Sequence, residues 1–361
     1  MRKNRLLLGV LAALFVLYLA MPAGAWHRTH ADIFAILPNG ATGPEGLTVG
    51  PEGNVYVATF GFNSSGPVGG HGQLYVFNPD GHLLRNVTVQ GSTPFLLGLA
   101  FHPTTHQLLV LDSAAGGGGP SQVFSVNPHT GASSVFMTIS GTGGLNALTF
   151  DKDGNVYVSD SFQGIIWKCD ATCGHVGTPW VSDPLLTTKG VPPFGANGLE
   201  FNSTGDTLFV ANTGNDTIVQ IPISGGNPGA PTVFVNSING ADGILIDKHD
   251  NIWVAANQAD EIVVVDKTGK VIAKLGDFEG VDQHGLPHGL LFPASPAFSA
   301  DGKWLYVTNL AIDLGDIFGL PTVDSQWCKQ VQHYTVSKIR ARIQPIGEND
   351  DDDDRGDHDR D

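Results

Sequence analysis

Apolar and polar positions along the chain alternate with period two, in short runs broken by turn residues. Residues Asn197 to Pro222 show the unit. Leu199 and Phe201 alternate with polar neighbours, Thr204-Gly205-Asp206 supplies a turn, Leu208 and Val210 resume the alternation, and Ile218, Val219 and Ile221 form a third run. This pattern predicts an antiparallel meander of strands. One meander cannot bury both of its faces, so it needs neighbours of its own kind. The chain supplies them: GLTVGPEGNVYV from Gly46, GLAFHPTTHQLLV from Gly98, ALTFDKDGNVYV from Ala147, GLEFNSTGDTLFV from Gly198, GILIDKHDNIWV from Gly243 and SPAFSADGKWLYV from Ser295. A spacing of roughly 45–50 residues with about four strands per copy is the signature of a propeller, and no copy carries the helical period of a solenoid. The expected fold is all-β: a six-bladed β-propeller with four-stranded antiparallel blades.

Third and fourth strands are legible in most copies, as in QLYVFNP and LLRNVTV after the first copy and EIVVVDKTG and VIAKLGD after the fifth. The sixth copy lacks a fourth. Its two strands end at Asn309, a third is expected near Tyr334 to Ile339, and ARIQPIGEN beyond it is a poor strand. At the other end, Ala31 to Leu37 (ADIFAIL) precedes the first blade with no blade of its own. The N-terminal strand is therefore expected outermost in blade 6, closing the ring and removing open sheet edges.

Composition fits this reading. Glycine accounts for 47 of 361 residues and charged residues for only 15%, as expected of a ring with many tight turns. Three segments are expected. Residues 1–25 have a basic start (Arg2, Lys3, Arg5), an apolar core from Leu6 to Met21 and an Ala23-Gly24-Ala25 cleavage site. They read as a secretory signal peptide cut after Ala25, giving a secreted or periplasmic product with no remaining membrane span. Residues 26–345 form the propeller. Residues 346–361, with nine acids and two arginines from Glu348 onward, read as an acidic disordered tail. The net charge of −16 argues against nucleic acid as a partner, and a monomer is expected. Cys169 and Cys173 flank a turn and suit a local disulfide in an exported chain, leaving Cys328 over. Asn63, Asn86, Asn202 and Asn215 begin N-x-S/T sequons, which matter only if the host glycosylates exported chains.

The first strand of each propeller blade lines the central channel, so the residues just before it converge on the axis. Read in order they are Glu45, Leu97, Asn146, Asn197, Asp242 and Ala294. Four of the six are oxygen donors, two of them carboxylates. A hard divalent cation such as calcium seeks these ligands, and so few protein donors would leave room for water or substrate. The competing reading is that Asn and Asp merely cap turns here, which does not account for Glu45. Asp112, Asp160, Asn212 and Asn309 recur after the second strand, and their regularity points to turn-satisfying structural roles.

With Glu45-Gly46, Asn197-Gly198-Leu199 and Asp242-Gly243 at the repeated position, residues from Glu45 to Asn309 resemble the senescence marker protein/gluconolactonase family of six-bladed propellers. They resemble paraoxonases and NHL-repeat propellers more distantly. The family resemblance implies a divalent cation, usually calcium, held by Glu45, Asn197 and Asp242, with Asn146 completing the site or meeting substrate. It further implies hydrolysis of a small-molecule lactone or related ester, with Asp242 as a catalytic base and Asn146 beside the reacting group. Three departures stand out: Leu47 replaces a frequent Pro, Ala147 replaces a frequent Asp, and Leu97 stands where paraoxonase-like chains carry a catalytic His. No G-x-S-x-G nucleophile elbow is present, which favours direct attack by water. Long Gly-rich loops on the mouth bearing the axial residues, with His71, His284 and His288, are expected to add substrate contacts. The alternative is a non-catalytic NHL-like ring that binds a protein or small ligand at that mouth.

Overall fold

A computed structural model of the chain describes residues 28–343 apart from positions 64, 115–118, 142 and 172. The expected signal peptide, residues 1–25, and the acidic tail, residues 346–361, lie outside the described residues. Six antiparallel blades follow one another around a central axis. Their first strands are Pro44–Val49, Leu96–Phe101, Leu145–Phe150, Ala196–Phe201, Ala241–Ile246 and Pro293–Phe298. Each pairs with a second strand, then a third and a fourth, so blade 1 runs Pro44–Val49, Val55–Thr59, Gln73–Phe77 and Leu83–Thr88 from axis to rim.

Blade 6 closes as its missing fourth strand requires. Its order from the axis outward is Pro293–Phe298, Trp304–Asn309, Thr335–Arg340 and then Asp32–Ile36, with Asp32 opposite Lys338 and Ile36 opposite Thr335. Phe34 packs on Tyr306 of its own blade and on Phe77 of blade 1, with ring centroids 4.4 and 6.5 Å apart. The closing strand thus covers a sheet edge and fills the seam between the last blade and the first.

The core is not central. Six apolar clusters lie between adjacent blades, one wedge per seam. Each second strand is packed on both faces, which is why Val55–Thr59, Leu108–Asp112, Val156–Asp160 and Ile252–Ala256 are buried throughout. Burying such a Val or Leu stabilises by about 1.5–3 kcal/mol. At the rim the pattern loosens, and Leu83 and Leu84 of a fourth strand are exposed.

The first turn of each blade needs a residue in the left-handed region. Gly53, Gly154, Gly205 and Gly302 supply it at φ of 83, 81, 73 and 71°, while His106 and Asp250 take the position in blades 2 and 5 at 57 and 61°. Side-chain oxygens hold these turns: Asp151 Oδ1 accepts from Asp153 N and Asn155 N, and Asp247 Oδ1 accepts from His249 N and Asn251 N. The recurrent polar residues at the opposite mouth work in the same way. Asp112 accepts from Thr93 N and Ala114 N, Asp160 from Gly144 N and Trp167 Nε1, and Asn309 from Leu291 N.

The loop after Asn309 contains two short helices, Leu314–Phe318 and Ser325–Cys328. Asp313 starts the first by accepting from Gly315 N at 2.9 Å, and Gly319 ends it at a φ of 68°. Asp324 is buried against Asp260 of blade 5. Burial and the facing Asp324 carboxyl push Asp260 up to about 8, because two buried carboxyls this close resist ionising together. Cys169 and Cys173 are disulfide-bonded with Cα atoms 5.2 Å apart, and Cys328 is a buried free thiol. No helix among the described residues is long and apolar enough to cross a membrane.

Two outcomes follow. A chain lacking residues 28–37 leaves blade 6 with an open edge and the blade 6–blade 1 seam unfilled. Its thermal transition, followed by circular dichroism, is expected to broaden and fall by 10 °C or more (about 2–4 °C per kcal/mol at this size); an unchanged transition would show that closure rests elsewhere. Thiol titration of the purified protein in denaturant without reductant is expected to find Cys328 alone, and a count of three would exclude the Cys169–Cys173 bridge.

Candidate metal and substrate site

The axial residues are set by a bulge that recurs in all six first strands. Pairing skips between Pro44 and Leu47, Leu96 and Leu99, Leu145 and Leu148, Ala196 and Leu199, Ala241 and Ile244, and Pro293 and Pro296. The two residues skipped in each blade are the axial residue and its successor. Glu45, Leu97, Asn146, Asn197, Asp242 and Ala294 therefore lie inside the first strand as its second residue, not just before it as the turn pattern predicts. A bulge re-aims one side chain out of the pleat, and all six of these residues are buried.

The successor is glycine in four blades because the next blade's backbone passes over it. A Cβ on Gly46 would meet Leu97 O at 2.0 Å, one on Gly98 Asn146 O at 2.7 Å, one on Gly198 Asp242 O at 2.5 Å and one on Gly243 Ala294 O at 2.5 Å. Blades 3 and 6 carry Ala147 and Ser295 instead, and there a hydroxyl of the second strand takes up the bulge N–H: Ser159 Oγ from Ala147 N at 3.0 Å and Thr308 Oγ1 from Ser295 N at 2.9 Å. Thr308 Oγ1 also donates to Glu45 O at 2.8 Å, joining blade 6 to blade 1 at the axis.

Within this ring Asp242 lies close enough to Glu45 to raise the cost of ionising Glu45. Burial first, and then the Asp242 carboxylate, hold Glu45 well above the usual carboxylate range. Burial pushes Asp242 up to about 7, against hydrogen bonds from Asn257 and Asn197 that favour its charged form. Asn257 Nδ2 donates to Asp242 Oδ2 at 2.8 Å. Asn197 Nδ2 donates to Thr213 Oγ1 at 2.9 Å, which leaves its Oδ1 for another partner. Glu45 Oε2 is buried without a hydrogen-bond partner. A buried carboxylate oxygen with no donor is costly, and here it sits in a ring with a second carboxylate and two amides. That donor set fits a hard divalent cation: its charge would offset both carboxylates and its coordination would occupy the orphaned oxygen. Among the described residues no group of three or more His, Cys, Asp or Glu forms a metal-holding cluster, so any cation here must draw on the amides.

Beside the axis, over blades 1 to 3, lies a cavity of about 350 Å³. Asn146 lines it; Glu45, Asn197 and Asp242 do not. Its walls are Phe60, Phe62, Leu97, Phe162 and Phe194, and the helix Leu314–Phe318 forms one side through Ile317 and Phe318. The histidines expected at this mouth do not line it. His71 is exposed with Nδ1 2.6 Å from Ser92 O. His284 and His288 belong to a hairpin of Phe278–Val281 and Pro287–Gly289, where His284 is exposed in the turn and His288 Nε2 lies 3.6 Å from Asp282 Oδ2.

Sequence reasoning missed the groups that orient the axial residues. Thr213 and Asn257 each stand one residue beyond the second strand, as do Ser113 and Ser161. Extending the alignment of copies by that residue would have exposed them. The cavity phenylalanines lie in or beside connecting loops that share no repeat, and no local signal marks them.

A family model described as the SMP-30/gluconolactonase/LRE-like region matches residues 192–276, and one described as strictosidine synthase-like, N-terminal, matches residues 31–60. The first spans the strands that carry Asn197 and Asp242, so the resemblance to that family stands on this stretch. No curated protein sequence matches the chain significantly. Among solved structures, a luciferin-regenerating enzyme superposes with a TM-score of 0.58 at 13% identity, covering 84% of this chain and 92% of its own. A calcium-binding regucalcin from Agrobacterium tumefaciens gives 0.57 at 16% identity, covering 88% and 100%. A gluconolactonase from Xanthomonas campestris gives 0.56 at 14% identity, covering 89% and 99%. At these identities the likeness is one of fold.

The buried carboxylates set a sign for pH and cation effects. Asp242 titrates near 4 when unfolded and at about 7 when folded. Without a cation the folded chain holds the extra proton in that window, so stability is lost as pH rises through it. The chelated protein is expected to melt progressively lower between about pH 5 and pH 8, and the rise in melting temperature on adding calcium to grow over the same range. Asp260 and Asp324, raised to about 8 and about 6, act in the same direction, so the difference between loaded and chelated protein isolates the axial pair. A calcium effect that is absent, or greatest at acid pH, would exclude these carboxylates as ligands.

Proposed function

We propose that the chain is an exported hydrolase of a lactone or related ester, with a divalent cation, calcium by preference, on the propeller axis. The observation that carries this reading is the orphaned, buried Glu45 Oε2 facing a second buried carboxylate, Asp242, in a ring completed by two amides, beside a ligand-sized cavity. The family match over residues 192–276 supports the same chemistry, and the N-terminal sequence pattern supports export.

Glu45, Asn197 and Asp242 would hold the cation, with Asn146 in or beside its shell. When bound, the cation supplies Lewis-acid polarisation of the substrate carbonyl. The chain's own residues do the rest. Asn257, by donating to one oxygen of Asp242, fixes the carboxylate so that its other oxygen is available to take a proton from the attacking water. Water then adds to the carbonyl carbon, the carbonyl–ring oxygen bond breaks, and the departing oxygen recovers the proton. Asn146, which lines the cavity, would donate to the carbonyl oxygen as charge develops on it. Asp242 must be ionised to act as base, so turnover should rise with pH through its pKa, which a bound cation lowers.

Glu45→Gln keeps a donor oxygen but removes a charge, and is expected to weaken calcium binding about tenfold or more, read by calorimetry. Asp242→Asn is expected to lower kcat by roughly 10²–10⁴-fold while retaining more of the calcium affinity, and Asn146→Ala to act mainly on substrate. Wild-type turnover by Asp242→Asn would remove the catalytic role. Calcium binding with no turnover of any lactone or ester would leave the NHL-like binding ring as the better description.

A further inference from the structure

The cavity beside the axis has a chemistry of its own that narrows the substrate. Its two walls are aromatic. On one side Phe60 and Phe62 pack at 5.1 Å, with Phe95 behind them at 5.8 and 5.2 Å. On the other, Phe162 and Phe194 stack at 6.1 Å with planes 28° apart, and Phe318 of the helix Leu314–Phe318 meets Phe194 edge-on at 5.6 Å. Phe162 and Phe318 remain 47% and 38% exposed, which leaves apolar ring surface at the mouth uncovered.

Among the described residues the polar side chains lining the cavity are few: Ser113, Asn146, Ser161 and Asp316. Ser161 Oγ is committed to Ala196 O at 2.7 Å, Ser113 has a partner of its own, and Asp316 stands exposed on the helix at the rim. Asn146 alone combines burial with an amide that no group bonds among the described residues. A ligand that fills this cavity therefore finds the Asn146 amide at the axial end and largely apolar, phenylalanine-rich walls elsewhere.

Resting on the hydrolase reading above, we propose that the substrate is an aryl or other apolar lactone or ester, with its carbonyl end at Asn146 and its ring between the two phenylalanine walls, and not a sugar lactone. A polyhydroxylated ring would bury hydroxyls that these walls cannot bond, at about 1–3 kcal/mol for each one left unpaired. An aromatic ring instead gains face and edge contacts. The volume agrees: a cavity of about 150 Å³ holds benzene, so about 350 Å³ accommodates a fused aryl lactone.

The test uses the calcium-loaded protein with dihydrocoumarin and δ-gluconolactone as substrates, and the lactam analogue of dihydrocoumarin as a non-hydrolysed ligand followed by calorimetry. The expected result is a kcat/KM for dihydrocoumarin at least about 100-fold above that for δ-gluconolactone. Phe194→Ala and Phe318→Ala should each raise KM for dihydrocoumarin and weaken the lactam by about tenfold with little change in kcat. Because Phe318 is a rim residue, its variant should fold even if Phe194→Ala does not, and melting curves identify which variants are intact. A preference for δ-gluconolactone, or a lactam that fails to bind, overturns the proposal while leaving the hydrolase reading in place. Lactam binding that the phenylalanine variants weaken, with neither lactone hydrolysed, upholds the aryl site and overturns the hydrolase reading.

Discussion

At the axis each blade's first strand presses its backbone into the bulge of the blade before it. Contacts of 2.0 to 2.7 Å between a notional Cβ at Gly46, Gly98, Gly198 or Gly243 and the next blade's carbonyl oxygen show how little space remains. This approach sets the spacing of the ring, and with it the geometry of every side chain the bulges turn inward. It also keeps the axial side chains buried, and so makes the electrostatics of the site severe.

Two carboxylates buried in such a ring repel one another and are poorly solvated, so the protein must protonate them or offset them with a cation. Asn257, Asn197 and Thr213 go part of the way, since each amide or hydroxyl is tied to the carboxylate or to a neighbour that orients it. Glu45 Oε2 stays without a donor. A site left unsatisfied by its own fold, next to a cavity of ligand size, is the arrangement expected where function and stability compete.

The cavity is shaped by elements outside the repeat. The Phe62–Asn63 and Gly66–Pro67 hairpin of blade 1 and the helix Leu314–Phe318 of blade 6 bring apolar surface to a mouth whose axial residues are polar. The loop bearing that helix is held down at Asp324, buried beside Asp260 of blade 5, and at Cys328 and Val331, buried in the blade 6–blade 1 seam. Its fixed position gives Ile317 and Phe318 a place in the cavity wall.

The local pattern of the chain determined the propeller, its six blades and the closing strand at Asp32–Ile36, because each depends on period-two alternation, turn residues and a missing strand that can be counted along the sequence. It also determined which residues reach the axis, since one repeated position yields Glu45, Asn146, Asn197 and Asp242. It could not show that these residues sit within a strand, because a bulge is a property of pairing and appears only against the partner strand. The support from Thr213 and Asn257, the pairing of Asp260 with Asp324, the phenylalanine walls and the exclusion of His71, His284 and His288 from the cavity were all decided by tertiary structure. Each depends on residues distant in sequence meeting across blade seams or loops, where no periodicity constrains the chain and packing alone chooses the neighbours.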